Sequence, residues 1–355
     1  MNVISALVAM SGGVDSSVAA LLAISQGCRC LGATMRLFPN EACPRSARGD
    51  AEDAAAAARL LGISHQVLDL AAEFRLRVID RFIRTYEAGG TPNPCVDCNR
   101  WLKFGALLNA ARERGLERVV TGHYARVERD GRSGRYLLKK AADGARDQSY
   151  ALYSLTQDQL ARALFPLGGM TKAQVRDLAR DHGLANADKR DSQDICFVPD
   201  GDYAGFIEGY TGRAHPPGDF VDASGRVLGR HRGLIRYTIG QRRGLGGVGG
   251  GRLYVSGIDP AANRVILSGE EALFFRTVWA EDVNLIAVPD IETPLRVGVK
   301  LRYRQEEAPA TVTRTGEDRL RIDFDEPQRA PAAGQAAVLY DGDVVVGGGT
   351  ICGAE

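Results

Sequence analysis

No apolar run in this chain approaches the roughly 20 residues that a membrane-crossing helix needs, so no membrane partner is expected. The first residues lack the basic-then-apolar pattern of a secretory signal. The cysteines number seven, an odd count, and do not read as a disulfide framework. Reduced thiols in the cytoplasm are the expectation. Net charge is only +1 at pH 7, so the total does not announce a nucleic-acid partner, although it leaves a local basic face open. The positive residues are mostly arginine, which suits bidentate phosphate contacts as well as ion pairs. No internal repeat occurs, and the one biased tract, Ala54–Ala58, is explained by a helix. Neither the GxxxxGK[ST] nor the GxGxxG phosphate pattern is present. A length of 355 residues, 45% of them hydrophobic and 25% charged, does allow two or three domains with sizeable cores.

The stretch that organises the chain is its opening one. Ile4–Met10 is an apolar run that reads as a buried parallel strand. Ser11-Gly-Gly-Val-Asp-Ser-Ser17 follows at once, and Ala19–Ala23 then carries a helix. Strand, glycine turn and helix start aim backbone N–H groups at one point above the sheet, an arrangement suited to phosphate. The hexamer resembles the PP-loop, SGGxDS, of enzymes that split ATP between its α and β phosphates and adenylate a substrate.

Cys30–Met35 reads as the second strand, with its end beside the phosphate loop. Residues 39–50 read as a loop, Asp50–Leu61 as a helix, Ser64–Leu70 as a strand and Phe74–Tyr86 as a helix. This alternation argues an open doubly wound sheet. The two prolines of Gly90-Thr-Pro-Asn-Pro-Cys-Val-Asp-Cys-Asn-Arg100 predict a rigid loop before a helix near Trp101. Cys95 and Cys98 there admit a zinc half-site, a redox pair or a reactive thiolate. No second pair follows closely, as zinc requires, and a thiol at a helix start has a lowered pKa, so the thiolate reading fits best. Arg118–Tyr124 reads as a strand, with His123 a packing or capping residue on this stretch alone. Residues 128–145 read as a charged hairpin, 151–164 as a helical segment and Thr171–His182 as a helix. Cys196, between Ile195 and Phe197, reads by itself as a buried inert thiol. Beyond Pro199 the chain is dense in glycine and arginine through residue 252. Eight short strands between 252 and 347 then suggest a small barrel or sandwich.

Several stretches together resemble one family, the bacterial tRNA-specific 2-thiouridylases. These are Ser11–Ser17, Thr91-Pro-Asn-Pro with Cys98-Asn-Arg and Lys103-Phe, Thr121-Gly-His-Tyr, Arg146-Asp-Gln-Ser-Tyr and Asp191-Ser with Ile195-Cys-Phe. His231, Gly233, Tyr237-Thr, Gly240-Gln-Arg and Gly244-Leu, then Arg302-Tyr-Arg-Gln and Gly334-Gln, continue the match in order. The family has aspartate in some members where this chain has Cys95, so an acid–base role for that aspartate does not carry over.

The resemblance implies an α/β protein: a doubly wound, Rossmann-like adenylating PP-loop domain over residues 1–198, a small Gly/Arg-rich central domain over 199–270 and a tRNA-contacting β-barrel over 271–355. It implies ATP at Ala9, Met10, Ser11, Gly12, Gly13, Val14, Asp15, Ser16, Met35 and Gly122, with Mg²⁺ on the pyrophosphate. It implies Cys196 as persulfide carrier and Cys98 as its thiol partner, paired as a disulfide during turnover. Asn93, Pro94, Cys95, His123, Arg146, Asp147, Gln148, Arg302, Tyr303 and Gln335 would contact the target base or the tRNA. A protein persulfide would donate the sulfur. Three other readings compete: another adenylating PP-loop enzyme, an iron–sulfur thiolase with a cluster on Cys95, Cys98 and Cys196, and a non-catalytic RNA-binding protein.

Overall fold

The computed structural model describes residues 3–38, 45–189, 195–248 and 251–355. Seven strands lie in the N-terminal region: β1 (Ser5–Ala9), β2 (Arg29–Arg36), β3 (His65–Asp69), β4 (Arg118–Val120), the hairpin β5 (Ala125–Arg129) and β6 (Tyr136–Lys140), and β7 (Ala163–Leu164). Five of them form a parallel sheet in the order β3-β2-β1-β4-β7. β1 is central, pairing Ala6 with both Cys30 and Arg118. Its alternate residues serve opposite faces. Ala6, Val8 and Met10 pack with Val18, Ala19 and Ala20, while Leu7 packs with Phe104, Leu107 and Val119. A strand buried on both faces must be largely apolar, which is why Ala6–Ala9 reads as an unbroken run. Each of the larger side chains so buried, such as Leu7, Val8 and Val18, contributes about 1.5–3 kcal/mol.

Helices cover both faces: α1 (Val14–Ser25), α2 (Arg45–Leu60), α3 (residues 71–87), α4 (residues 94–113), α5 (Gln157–Arg162) and α6 (Lys172–Asp181). α3 and α4 each contain a π-helical stretch, Arg75–Ile79 and Cys98–Ala106. The order of the sheet reverses at β1, so the glycine turn after Ala9 lies at the switch point where such sheets hold ligands.

Four expectations are corrected. Residues 45–50 are the first turns of α2 and not loop, because the alanine-rich helix runs back through Arg45–Asp50 despite Gly49; residues 39–44 lie outside the described residues. The stretch after Asn93 is not an extended loop. Proline at the first helical position needs no N–H partner, so α4 starts at Pro94, with the Asn93 side chain accepting from Val96 N at 3.4 Å. Residues 151–164 do not make one helix. A capping box at Thr156 and Gln159 starts α5 afresh, and the segment ends as β7. The strand at 118–124 stops at Val120.

The central region holds α7 (Tyr203–Thr211), capped by Asp202 and ended by Gly212 at φ 65°. It also holds β8 (Gly218–Val221), β9 (Val227–His231), β10 (Tyr254–Asp259) and β11 (Arg264–Ser268), in the order β10-β11-β8-β9. The last six strands are β12 (Phe274–Leu285), β13 (Leu295–Lys300), β14 (Ala308–Gly316), β15 (Arg319–Arg329), β16 (Ala336–Asp341) and β17 (Val344–Ala354). They run β12-β15-β14-β13-β16-β17, and pairing of β12 with β17 closes them into a barrel. Val278, Val299, Val312, Leu320, Ile322 and Leu339 fill its interior. The architecture is the expected one: a Rossmann-like domain, a small central β domain and a C-terminal barrel. β17 also pairs with β6, Val345 opposite Leu138, so the hairpin of the first domain extends the barrel sheet.

Candidate active site

The anion loop is shaped by short contacts. Gly12 has φ 75°, a conformation natural to glycine, and a Cβ there would collide with the Asp50 carbonyl of α2. The Ser16 hydroxyl accepts from Ser11 N at 3.1 Å and donates to Gly13 O at 2.9 Å, closing the turn. Gly13 is the N-cap of α1 and, having no side chain, gives the helix start no cap of its own. Gly122 packs on that start, where a Cβ would lie 2.7 Å from the Asp15 carbonyl carbon and 2.8 Å from Ser16 N.

Of the named nucleotide residues, Ala9 ends β1, Ser11 and Gly13 form the turn, and Val14 and Ser16 open α1. Met10 is buried, with its carbonyl accepting from Thr34 Oγ1 at 2.8 Å, and Met35 lies half-buried one residue before the end of β2. Asp15 is engaged within the protein. Lys172 Nζ lies 2.7 and 2.8 Å from its two oxygens, and the Tyr124 hydroxyl donates to it at 2.9 Å. Asn186 donates to Gly12 O (3.1 Å) and Ser17 Oγ (2.9 Å), and Lys189 joins the loop to Asp50 and Asp53 at 2.6 and 2.7 Å.

The cysteine recess is built by α4, the arm around Cys196 and the barrel. Cys95 and Cys196 are exposed and Cys98 is half-buried, packed in the same apolar cluster as Ile195, Phe197 and Trp101. The three sulfurs are near enough to perturb one another. All three thiols are raised above their ordinary value, that of Cys196 to about 12, because the surrounding protein disfavours the anion. The expectation of a lowered pKa at Cys98 is thereby overturned. The cost of holding the anion among packed protein exceeds what the helix start and Lys103 return. All described cysteines are free thiols.

The barrel reaches this recess directly. Gln335 Nε2 donates to the carbonyls of Thr91 and Pro92, each at 3.0 Å, and Thr91 N donates to Ala333 O at 2.7 Å. The Tyr150 hydroxyl donates to Ala336 O at 3.0 Å and is also joined by Asn93. Tyr303 is exposed, edge-on to Tyr150 at 6.0 Å, and stands near Cys95, Arg146 and Asp147. Below, Arg81 bridges Asp97 (3.4 Å) and Asp282 of β12 (3.5 Å), while Arg100 meets Asp282 at 2.6 Å.

Several residues expected to meet RNA are committed to the protein here. His123 is buried between Thr121 and Lys103, and burial holds its pKa well below the ordinary value. Asp147 accepts from Ala141 N and Ser149, Gln148 from Tyr124 N, and Arg302 donates to Ala330 O. Pro94 is buried at the start of α4. Sequence reasoning missed Lys103, Tyr124, Lys172, Lys189 and Asn186 as site residues. Lys103 and Tyr124 stood inside quoted motifs, and Asp191 and Ser192 of another lie outside the described residues. Among the described residues no three His, Cys, Asp or Glu side chains converge as metal ligands.

A parallel Rossmann-like sheet with an anion loop at its switch point, joined to a small β domain and a closed barrel, defines a multidomain nucleotide-binding protein. Family models agree in their order. The tRNA methyl transferase HUP domain matches residues 4–200, the tRNA methyl transferase PRC-barrel domain 204–269 and the aminomethyltransferase beta-barrel domain 275–351. A protein of Clostridioides difficile (strain 630) named tRNA-specific 2-thiouridylase MnmA is 46% identical over 353 residues, covering 97% of each chain. One of the same name from Moorella thermoacetica is 47% identical over 351 residues, covering 97% of this chain and 98% of its own. The chain belongs to the tRNA-specific 2-thiouridylase family. Among solved structures, a 4-thiouridine synthetase–RNA complex with bound ATP aligns at TM-score 0.37 and 18% identity, over 55% of this chain and 45% of that one. The U34-tRNA thiolase NcsA from Methanococcus maripaludis with its [4Fe–4S] cluster gives 0.35 and 18%, over 59% and 65%. Neither likeness is close enough to bear on the site.

Proposed function

We propose that this protein is a tRNA sulfurtransferase that uses ATP to replace the 2-oxygen of the wobble uridine with sulfur. The observation that carries the reading is the pairing, in one chain of this family, of an anion loop at a sheet switch point with a recess where Cys98 and Cys196 meet. The uridine 2-oxygen attacks the α-phosphorus of ATP and releases pyrophosphate, which the glycine turn and the start of α1 receive. The base then carries AMP as a good leaving group. A persulfide on Cys196 supplies the sulfur that bonds to the ring carbon as AMP departs. The Cys98 thiolate attacks the inner sulfur of Cys196, so the carrier bond breaks and a Cys98–Cys196 disulfide forms. An external reductant restores both thiols, and a protein persulfide reloads Cys196.

Residues 1–198 act as the adenylating domain, 199–270 as a central connector and 271–355 as the tRNA-contacting barrel. Tyr303, exposed beside Cys95 and Arg146, stacks on the flipped base in this reading. Asn93, Pro94 and Cys95 form the wall next to it. Mg²⁺ would neutralise the phosphates. Asp15 is already paired, so the ion would be held by phosphate oxygens and water with no side-chain ligand assigned. Cys95, Cys98 and Cys196 do not converge as metal ligands as placed, so they do not fit an iron–sulfur cluster, and the sulfur passes through the thiols alone.

Incubation of the protein with unmodified tRNA, ATP and a persulfide-generating system should yield 2-thiouridine, read by mass spectrometry of nucleosides. Pyrophosphate exchange with no thiouridine under any sulfur source would sink the thiolation reading and leave only an adenylating enzyme.

A further inference from the structure

Lys103 is the cation whose field reaches Cys95, Cys98 and Cys196 alike. It lies on the same π-helical stretch as Cys98, Cys98–Ala106, about one turn further on. Lys103 Nζ is 3.4 Å from His123 Nε2, and His123 Nδ1 is 2.7 Å from Thr121 Oγ1. An ammonium has only protons to give. Nε2 is therefore the acceptor, the ring proton sits on Nδ1, and Nδ1–H donates to Thr121. Phe104 and Phe165 wall the ring at 6.2 and 5.8 Å, and its burial keeps it neutral. A neutral imidazole of fixed tautomer is a directional rest for an ammonium that would otherwise rotate freely on its stem.

We infer that Thr121 and His123 are positioning residues that hold the Lys103 ammonium beside the cysteines, where it stabilises the sulfur anions. The inference rests on the thiolation reading and adds the residue that makes the anions accessible in a recess that opposes them. The groups facing the sulfurs are Cys95, Asp97 and Lys103 from α4, Cys196 from its own arm and Tyr303 from the barrel. Asp97 opposes the anion and Lys103 favours it, so loss of Lys103 leaves no balancing charge among them. When a thiol ionises its proton goes to solvent, and the sulfur anion remains opposite Nζ.

The test needs neither tRNA nor ATP. The full chain is alkylated with iodoacetamide across a pH series, and each cysteine is followed by mass spectrometry, with exposed Cys352 as internal control. Lys103→Met should slow alkylation of Cys98 and Cys196 at neutral pH by about tenfold, the equivalent of one pKa unit, with the gap holding across the series while both thiols stay mostly protonated. Lys103→Arg should restore most of the rate. His123→Gln should give a smaller shift in the same direction. Unchanged Cys98 and Cys196 profiles in Lys103→Met, with Cys352 also unchanged, would overturn the inference. If Lys103→Met does not fold, Lys103→Gln carries the same test. A wild-type profile in His123→Gln would remove the positioning role. Absence of thiouridine formation alongside a shifted profile would count against the thiolation reading and not against the positioning of Lys103.

Discussion

At the anion loop, the contacts that set the shape stay within one domain: Ser16 back to Ser11, Asn186 and Lys189 onto Gly12, Gly122 against Asp15. At the cysteine recess the supports come from the far end of the chain. Gln335 seats Thr91 and Pro92, Asp282 meets Arg81 and Arg100, and Tyr303 overlooks Cys95. On the proposed function the loop would hold a ligand of fixed shape, for which backbone groups plus glycine suffice. The recess would have to accept a base, a sulfur carrier and a second thiol in turn, and it is assembled from side chains at a domain junction. Damage to the barrel should therefore reach sulfur transfer and spare adenylation.

The largest separation between the two regions is expected from the cysteines themselves. Cys196→Ser should accept no labelled sulfur, and Cys98→Ser should accept label on Cys196 but release no thiouridine. Both should keep pyrophosphate exchange near wild type. Label on Cys98 and none on Cys196 would reverse the assignment, and thiouridine formation by either variant would remove it.

The converse break lies at the loop. Gly122→Ala should reduce exchange by about a hundredfold, because its methyl would force the start of α1 away from its oriented position. Asp15→Ala should lose exchange too, and here the fold is not spared. Lys172, only 10% exposed, would keep its charge without the Asp15 carboxylate, at a cost of roughly 1–3 kcal/mol. Asp15→Ala combined with Lys172→Met should recover most of the melting temperature and none of the exchange. Full recovery of exchange would show that Asp15 acts only through packing.

Much of the loop end was legible because its signals are local: an apolar run, glycines at fixed offsets and a helix that follows. The recess was legible only as a set of separated motifs. Pro94 was misread as a helix breaker, because a proline signals the same local stiffness whether it stops a helix or stands at its first position. The thiol pKa values were misjudged because helix-start electrostatics can be read from sequence and desolvation cannot. Lys172 and Lys189 carried no motif signal, yet the chain has only six lysines among its many arginines. Three of the six stand at these two regions, where a compact ammonium fits a carboxylate or an imidazole better than a planar fork does.

Gln335→Ala tests the support of the recess from the barrel. The variant gives up two hydrogen bonds to the Thr91–Pro92 carbonyls, each worth about 1 kcal/mol. Thiouridine formation should fall roughly tenfold, with exchange unchanged. An equal fall in both activities would erase the distinction between the regions.

The smallest effect, and the sharpest in sign, concerns Asp97. Burial pushes its carboxyl up to about 6, with Arg81 and then Arg100 opposing and Asp282 adding to the rise. A raised acid is at no disadvantage below the unfolded value, where both states are protonated. Between an ordinary value near 3.8 and about 6 the unfolded chain ionises while the folded one resists, so stability is lost as pH rises through that window. Asp97→Asn should then match wild type in acid and be more stable above about pH 6, by at most about 3 kcal/mol. The gain should fall nearer about 1 kcal/mol, because Arg81 loses one of its two carboxylate partners and keeps only Asp282. Melting curves at several pH values separate the outcomes. A variant less stable than wild type at neutral pH would mean that the ion group joining α4 to β12 stabilises the junction by more than the burial of Asp97 costs.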